Sequence, residues 1–282
     1  MNHTVHNNIV SFIWSIADDV LRDVYVRGKY RDVILPMTVI RRLDILLEPT
    51  KDEVLKMHQF LEENNIAAGI AQYQPITGFP FYNTSPFTLR KLYNTPSQIK
   101  ANFEAYLNGF SDNVQEIIRK FKFHNQLETL NDANRLYPLL EKFLSPRINL
   151  GIHPVVDARG NVIHEGLSNL GMGYVFEELI RRFNEENNEE AGEHFTPRDI
   201  IQLMVHLLFE PIADQIESGT YLVYDGACGS GGMLTEAEKY FVGLAAERGK
   251  QVALELYGQE VNPETYAICT ADMLIQRRYP EN

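Results

Sequence analysis

Apolar residues recur at helical spacing over 9–25 and 35–47, and a more polar helix is predicted over 52–64. Residues 69–95 lose the pattern, with Pro75, Gly78, Pro80 and Pro86 as punctuation, so an ordered loop or poorly paired hairpin is expected there. Thr95-Pro96 and Ser111-Asp112 read as helix starts, each opening a helix of about ten residues. Asp132 is expected to cap another that runs toward Leu144 and stops at Pro146. Phe12 and Trp14 read as core residues of this bundle. Residues 151–166 carry Pro154, Gly160 and Asn161 and form the best linker candidate.

The pattern changes after the linker. An apolar-periodic helix is predicted over 200–209, with Thr196 as N-cap, Pro197 as first helical residue and Asp199 as the acidic half of a capping box. Tyr221-Leu222-Val223-Tyr224 is a short strand, and a helix follows from Met233 to about Arg248. Val252 to Tyr257 reads as a second strand. Helices alternating with strands imply an α/β part, so the expected fold class is an all-α N-terminal domain, 1–160, before an incomplete Rossmann-like α/β sheet, 161–282.

Between the first strand and its helix lies Asp225-Gly226-Ala227-Cys228-Gly229-Ser230-Gly231-Gly232. Its glycines let a backbone approach a ligand closely and adopt positive φ. The next helix aims free N–H groups and a positive dipole end at the same place. No Gly-Lys-Ser/Thr follows, which argues against a nucleoside-triphosphate P-loop, and the glycine spacing departs from Gly-x-Gly-x-x-Gly, which demotes NAD. The second strand ends in Gln259-Glu260, a carboxylate placed at the carboxyl edge of the sheet, where it can accept from both hydroxyls of a ribose. Upstream, Phe195 precedes the helix start, where an aromatic face can cover a cationic ligand.

The loop resembles motif I of S-adenosylmethionine-dependent amino-methylating DNA methyltransferases. The segment Gly258-Gln259-Glu260-Val261-Asn262-Pro263-Glu264 resembles their motif II, and Gly192-Glu193-His194-Phe195-Thr196-Pro197-Arg198 resembles motif X of the gamma-type N6-adenine class, with His194 where an aromatic is usual. The order X, I, II, together with Trp14, Tyr30 to Pro36, Arg41-Arg42-Leu43-Asp44 and Gly173 to Leu179, is similar to the modification subunits of type I restriction-modification systems. This resemblance implies N6-adenine DNA methylation with S-adenosylmethionine as cofactor. The implied cofactor-binding residues are Glu193, His194, Phe195, Thr196, Pro197, Arg198, Asp225, Gly229, Ser230, Gly231, Gly232 and Glu260. The implied partners are a DNA specificity subunit, a restriction (nuclease/translocase) subunit and double-stranded DNA.

Amino-methylating enzymes also carry Asn/Asp-Pro-Pro-Phe/Tyr, which residues 1–282 lack; Asn262-Pro263-Glu264 is the nearest echo. The chain therefore reads as cut short before its catalytic motif, and it is expected not to methylate DNA alone. The alternative reading is a non-catalytic assembly module that docks a specificity or nuclease subunit.

Charge adds a constraint on partners. Residues 1–165 hold 18 basic and 18 acidic side chains, whereas residues 166–282 hold 8 and 20, so the whole net charge of −12 lies in the second part. Such a surface does not attract a phosphate backbone unaided. Part of it is Glu185-Glu186-Asn187-Asn188-Glu189-Glu190, expected to be a solvated loop. The two cysteines, Cys228 and Cys269, suggest neither zinc nor a disulfide framework. No apolar run is long enough for a membrane span and the start lacks a secretion signal, so a cytoplasmic location is expected.

Overall fold

The computed structural model describes residues 3–186 and 196–276. They fall into two compact units, residues 3–186 with 274–276, and residues 196–273. The architecture is the expected one, a helical first part followed by a smaller α/β part.

The first unit contains α1 (His3–Ile16), which continues as a π turn over Ala17–Leu21, then α2 (Arg31–Leu47), α3 (Lys51–Glu63), α4 (Ile70–Thr77), α5 (Leu89–Tyr93), α6 (Ile99–Asn108), α7 (Asp112–Lys120), α8 (Phe123–Asp132) and α9 (Leu136–Phe143). The hairpin β1 (Val155–Val156) and β2 (Val162–His164) follows, and then α10 (Asn169–Glu186). Val10, Ile13, Val33, Ile34, Phe103, Phe123, Leu127 and Leu139 are fully sequestered in its core.

Polar side chains staple this core together. Asp44 is buried and accepts from the Leu89 N–H and the Tyr106 hydroxyl, both at 3.0 Å, and pairs with Arg41. Burial still raises its carboxyl above the usual range, against the lowering pull of Arg41. Arg42, wholly buried, donates to the Leu150 carbonyl and to Asn169 Oδ1. Arg41-Arg42-Leu43-Asp44 thus ties α2 to the segments after α9. The compact division falls later than the 160/161 boundary expected from the linker, because α10 packs on α1 and α2; Trp14 meets Phe183 at 4.8 Å between ring centres.

Several local expectations need correction. The segment 69–95 holds two short helices, α4 and α5; Gly78, in the left-handed region, ends the first, and Thr88 accepts from the Lys91 N–H to start the second. Asp132 is the last residue of α8 and caps nothing downstream. The linker 151–166 is an ordered hairpin.

The second unit is a helix-strand-helix-strand-helix run: α11 (Arg198–Phe209), β3 (Gly219–Asp225), α12 (Gly232–Glu247), β4 (Val252–Gly258) and α13 (Pro263–Gln276). β3 and β4 are parallel, in register from Gly219↔Val252 to Asp225↔Gly258. Parallel pairing needs a crossover, and α12 supplies it. Tyr221, Val223, Val252 and Leu256 on one face pack with Leu254 against Ile201, Val205, Phe209, Phe241 and Leu244. The opposite face presents Leu222, Tyr224 and Tyr257 to solvent, each more than half exposed. Among the described residues no helix is long and apolar enough to cross a membrane, and no group of three or more His, Cys, Asp or Glu is placed to hold a metal ion.

Candidate functional site

β3 ends at Asp225, and the chain turns at once. The Ala227 N–H bonds back to Asp225 Oδ1 at 3.1 Å, an Asx turn that sets the direction of the loop. The ladder continues past the strands, with Gln259 N–H to the Asp225 carbonyl at 2.9 Å and Cys228 N–H to the Gln259 carbonyl at 3.0 Å. The segment after β3 is thereby held against the segment after β4.

Gly229 and Gly231 both have positive φ, +56° and +86°. At Gly231 a Cβ would lie 2.8 Å from Cys269 Sγ and 2.9 Å from Met273 Cε, so conformation and space both demand glycine there. Gly231 is also the N-cap of α12 and supplies no side-chain acceptor, which leaves the first-turn N–H groups of that helix available to a ligand.

Glu260 closes the arrangement. Its Oε2 accepts from the Gly229 N–H at 3.1 Å, and its Oε1 from the Asn262 N–H at 2.7 Å. Each carboxylate oxygen has two lone pairs, so both can still accept from a ligand while the backbone fixes the group's orientation. Asn262-Pro263-Glu264 serves as a helix start, in which Asn262 Oδ1 accepts from the N–H groups of Glu264 and Thr265 and so caps α13. The asparagine, proline and glutamate in succession carry that capping signature in the sequence itself.

Under the loop, the Cys228 and Cys269 sulfurs are 4.0 Å apart, both buried beside Leu234. Burial raises both thiol pKa values, and Asp225 and Glu260 add to the rise at Cys228. Both thiols are therefore neutral packing groups, and both carboxylates bear electrostatically on the same loop.

The upstream segment divides. Glu193, His194 and Phe195 lie outside the described residues. Thr196 and Pro197 are exposed at the start of α11. The expected capping box does not form: Pro197, extended at ψ 141°, is the N-cap and offers no side-chain acceptor, and its carbonyl accepts from the Ile201 N–H at 3.0 Å. Among the described residues Asp199 accepts from the adjacent Ile200 N–H at 3.0 Å. Arg198 forms an ion pair with Glu236 of α12, both side chains largely buried, so the structure places it at the α11–α12 contact. Ser230 is half-buried in the loop and Gly232 begins α12. Sequence reasoning missed Glu236, whose single signal is a charged residue within the apolar face of α12, and the Tyr224 hydroxyl that donates to Gln259 Oε1 at 2.9 Å across the strand ends.

Residues 9–143 match the family described as the HsdM N-terminal domain, and residues 168–279 match the family described as N-6 DNA Methylase. The chain is 32% identical over 117 residues to the type I restriction enzyme HindI methylase subunit of Haemophilus influenzae, a match covering 42% of this chain and 24% of that protein. The MpnII methylase subunit of Mycoplasma pneumoniae is 34% identical over 36% of this chain and 17% of its own length. A longer match, 23% identical, joins 87% of the chain to 48% of the MjaVII methylase subunit of Methanocaldococcus jannaschii. The chain thus spans about half or less of these relatives. The crystal structure of a type I restriction-modification methyltransferase subunit from Streptococcus thermophilus superposes with a TM-score of 0.56 at 17% identity, covering 96% of this chain and 56% of that one, and so shares its fold. The chain thus carries an HsdM N-terminal domain and an N-6 DNA methylase domain in succession, with homologues among type I restriction enzyme methylase subunits.

Proposed function

We propose that this chain binds S-adenosylmethionine in the loop after β3 and serves N6-adenine methylation of DNA within a type I modification complex. The observation that carries this reading is the Gly229–Glu260 hydrogen bond, which joins the glycine loop to the acid at the end of β4. The donor and acceptor set fits the cofactor. Two glycines at positive φ and an uncapped helix start suit the methionine carboxylate, and the Glu260 oxygens suit the ribose hydroxyls. Asp225, with Glu260, supplies negative charge toward the ammonium and sulfonium groups.

On this reading Asp225, Gly229, Ser230, Gly231 and Gly232 seat the methionine end and Glu260 orients the ribose. Thr196 and Pro197, with Glu193, His194 and Phe195, close over the ligand, and Arg198 fixes the start of α11 through Glu236. Bound there, the cofactor supplies an electrophilic methyl group to an adenine amino nitrogen. The residues of this chain align and desolvate it and contribute no nucleophile. Residues 1–282 contain no Asn/Asp-Pro-Pro-Phe/Tyr tetrapeptide to hold a flipped adenine, so the chain alone is expected not to methylate DNA. A specificity subunit supplies target recognition, and a restriction subunit completes the assembly.

Calorimetric titration of the purified chain tests the reading: saturable heat with S-adenosylmethionine and none with NAD is expected. No binding of S-adenosylmethionine would overturn it. The second reading, an assembly module without cofactor, is favoured by the solvent-facing Leu222, Tyr224 and Tyr257 of the sheet and is what a silent titration would leave standing.

A further inference from the structure

The first unit contains a cavity of about 480 Å³ walled by α1, α5, α9 and the turn that follows α9. Arg90, Lys142 and Arg147 line it against a single acid, Glu141, so its wall is net positive. Lys142 is engaged with Asp19 at 2.6 Å. The Arg90 and Arg147 side chains are exposed, and among the described residues neither forms an ion pair or a side-chain hydrogen bond. Two unengaged guanidiniums at one cavity are unlike the other arginines of this unit, most of which are tied down: Arg41 to Asp44, Arg42 to Leu150 and Asn169, Arg135 to Asp23. One wall is stiffened by Tyr93, stacked on Tyr137 with ring centres 4.6 Å apart and planes within 15°.

Guanidinium forks match phosphate oxygens in geometry and charge, and among the described residues Glu141, the one acid of the wall, pairs with neither Arg90 nor Arg147. The surrounding sequence agrees: residues 64–103 contain Arg90, Lys91 and Lys100 and no Asp or Glu, whereas residues 166–282 carry the whole acidic excess of the chain. A polyanion is therefore drawn to this face of the helical unit and repelled by the α/β unit. We propose that the Arg90–Arg147 cavity is a phosphate-binding site that takes a backbone phosphodiester of duplex DNA. The choice of duplex rests on the DNA-modifying reading above; the phosphate chemistry rests on the cavity itself.

The test uses the full chain and a labelled duplex of arbitrary sequence, with anisotropy read across a salt series. Arg90→Ala and Arg147→Ala should each weaken binding and flatten the slope of log K against log salt by about 1, and the double variant by about 2. Arg147→Lys should keep the slope, and Arg119→Ala, an exposed cation on α7 outside the cavity, should behave as wild type. Both arginines are exposed and unpartnered, so unchanged melting by circular dichroism is the expected folding control. Competition at constant ionic strength with inorganic phosphate and with a nucleoside monophosphate separates the two sources of phosphate: weak displacement of duplex supports the backbone assignment.

Absence of duplex binding, slopes unmoved by the two alanine variants, equal flattening by Arg119→Ala, or tight binding of free phosphate with no duplex binding would each overturn the proposal. The cofactor titration on the same samples keeps the readings apart. A chain that binds S-adenosylmethionine with an unchanged salt slope loses this site alone, and one with arginine-dependent duplex binding but no cofactor heat loses the cofactor reading alone.

Discussion

The backbone N–H of Gly229 lies 3.1 Å from Glu260 Oε2, so the turn after the first strand of the α/β unit is tied to the acid beyond the second. Replacing Glu260 by alanine removes that tie and, on the proposed reading, both ribose acceptors. S-adenosylmethionine affinity should fall by tenfold or more, given ~1.5–3 kcal/mol for a hydrogen bond to a charged group. Glu260→Gln, which keeps one carbonyl oxygen, should lose less. Calorimetry reads both, and an unaltered Kd for the alanine variant would remove the ribose role.

Gly231→Ala should destabilise the α/β unit by about 1–3 kcal/mol, since the new methyl group meets Cys269 and Met273 on a backbone at φ +86°. Hydrogen exchange of the β3 and β4 amides is the readout, and faster exchange there with unchanged Trp14 fluorescence melting is the expected pattern. The matching change at Gly243, where a Cβ meets nothing within 4 Å, should be close to neutral or mildly stabilising.

The Arg198–Glu236 pair is largely buried, with side chains 13% and 6% exposed. Arg198→Ala leaves a carboxylate inside the α11–α12 contact, at a cost of about 3–5 kcal/mol that Lys239, 3.8 Å away, offsets only in part. The double change Arg198→Met with Glu236→Leu should recover most of that stability. Urea unfolding of wild type, Arg198→Met, Glu236→Leu and the double variant measures the coupling, and additive single effects would show that the two side chains do not act as a pair.

Lys51 gives the helical unit a pH signature. Its ammonium is buried and donates to the Asn83 carbonyl and Oδ1 at 3.0 and 2.8 Å. Desolvation lowers its pKa from 10.5 to about 8, with Lys91 adding to the fall and Asp44 opposing it. Between those values the unfolded chain holds a proton that the folded chain lacks, so this group makes stability rise with pH across about 8 to 10.5, by on the order of 1–3 kcal/mol. Trp14, the single tryptophan, reports unfolding of this unit. Melts at about pH 7 and about pH 9.5 should show a gain in wild type that is missing in Lys51→Met. An identical pH response in both would place the effect elsewhere.

Much of the second unit is legible in the sequence because its signals are local. Gly229, Gly231 and Gly232 announce a tight turn, and Tyr221 to Tyr224 and Val252 to Tyr257 announce strands, within windows short enough for backbone preferences to decide. The helical unit is harder to read. Arg42, Asp44, Lys51 and Asn83 are polar residues whose burial depends on partners up to 127 residues away, as Arg42 and Asn169 are, and no periodicity encodes that separation. Proline misleads in both directions: Pro75 and Pro36 sit inside α4 and α2, whereas Pro197 stands one position before the helix that its residue type predicts it to begin. The Arg198–Glu236 pair is invisible at that level because it needs two helices to be docked first.

The parallel pairing of β3 with β4 also fixes when the turn between β3 and α12 can take its shape. Partners such as Tyr221 and Leu254 meet only after the whole of α12 has been traversed, so loop closure must precede any reward from the ladder. Helices α11 and α12 can dock earlier, through Phe209 and Phe241, whose ring centres lie 5.0 Å apart. The glycine turn therefore takes its shape only once the ladder has closed, and a nascent chain interrupted within β4 lacks the Gln259 backbone that holds Asp225 and Cys228 in place.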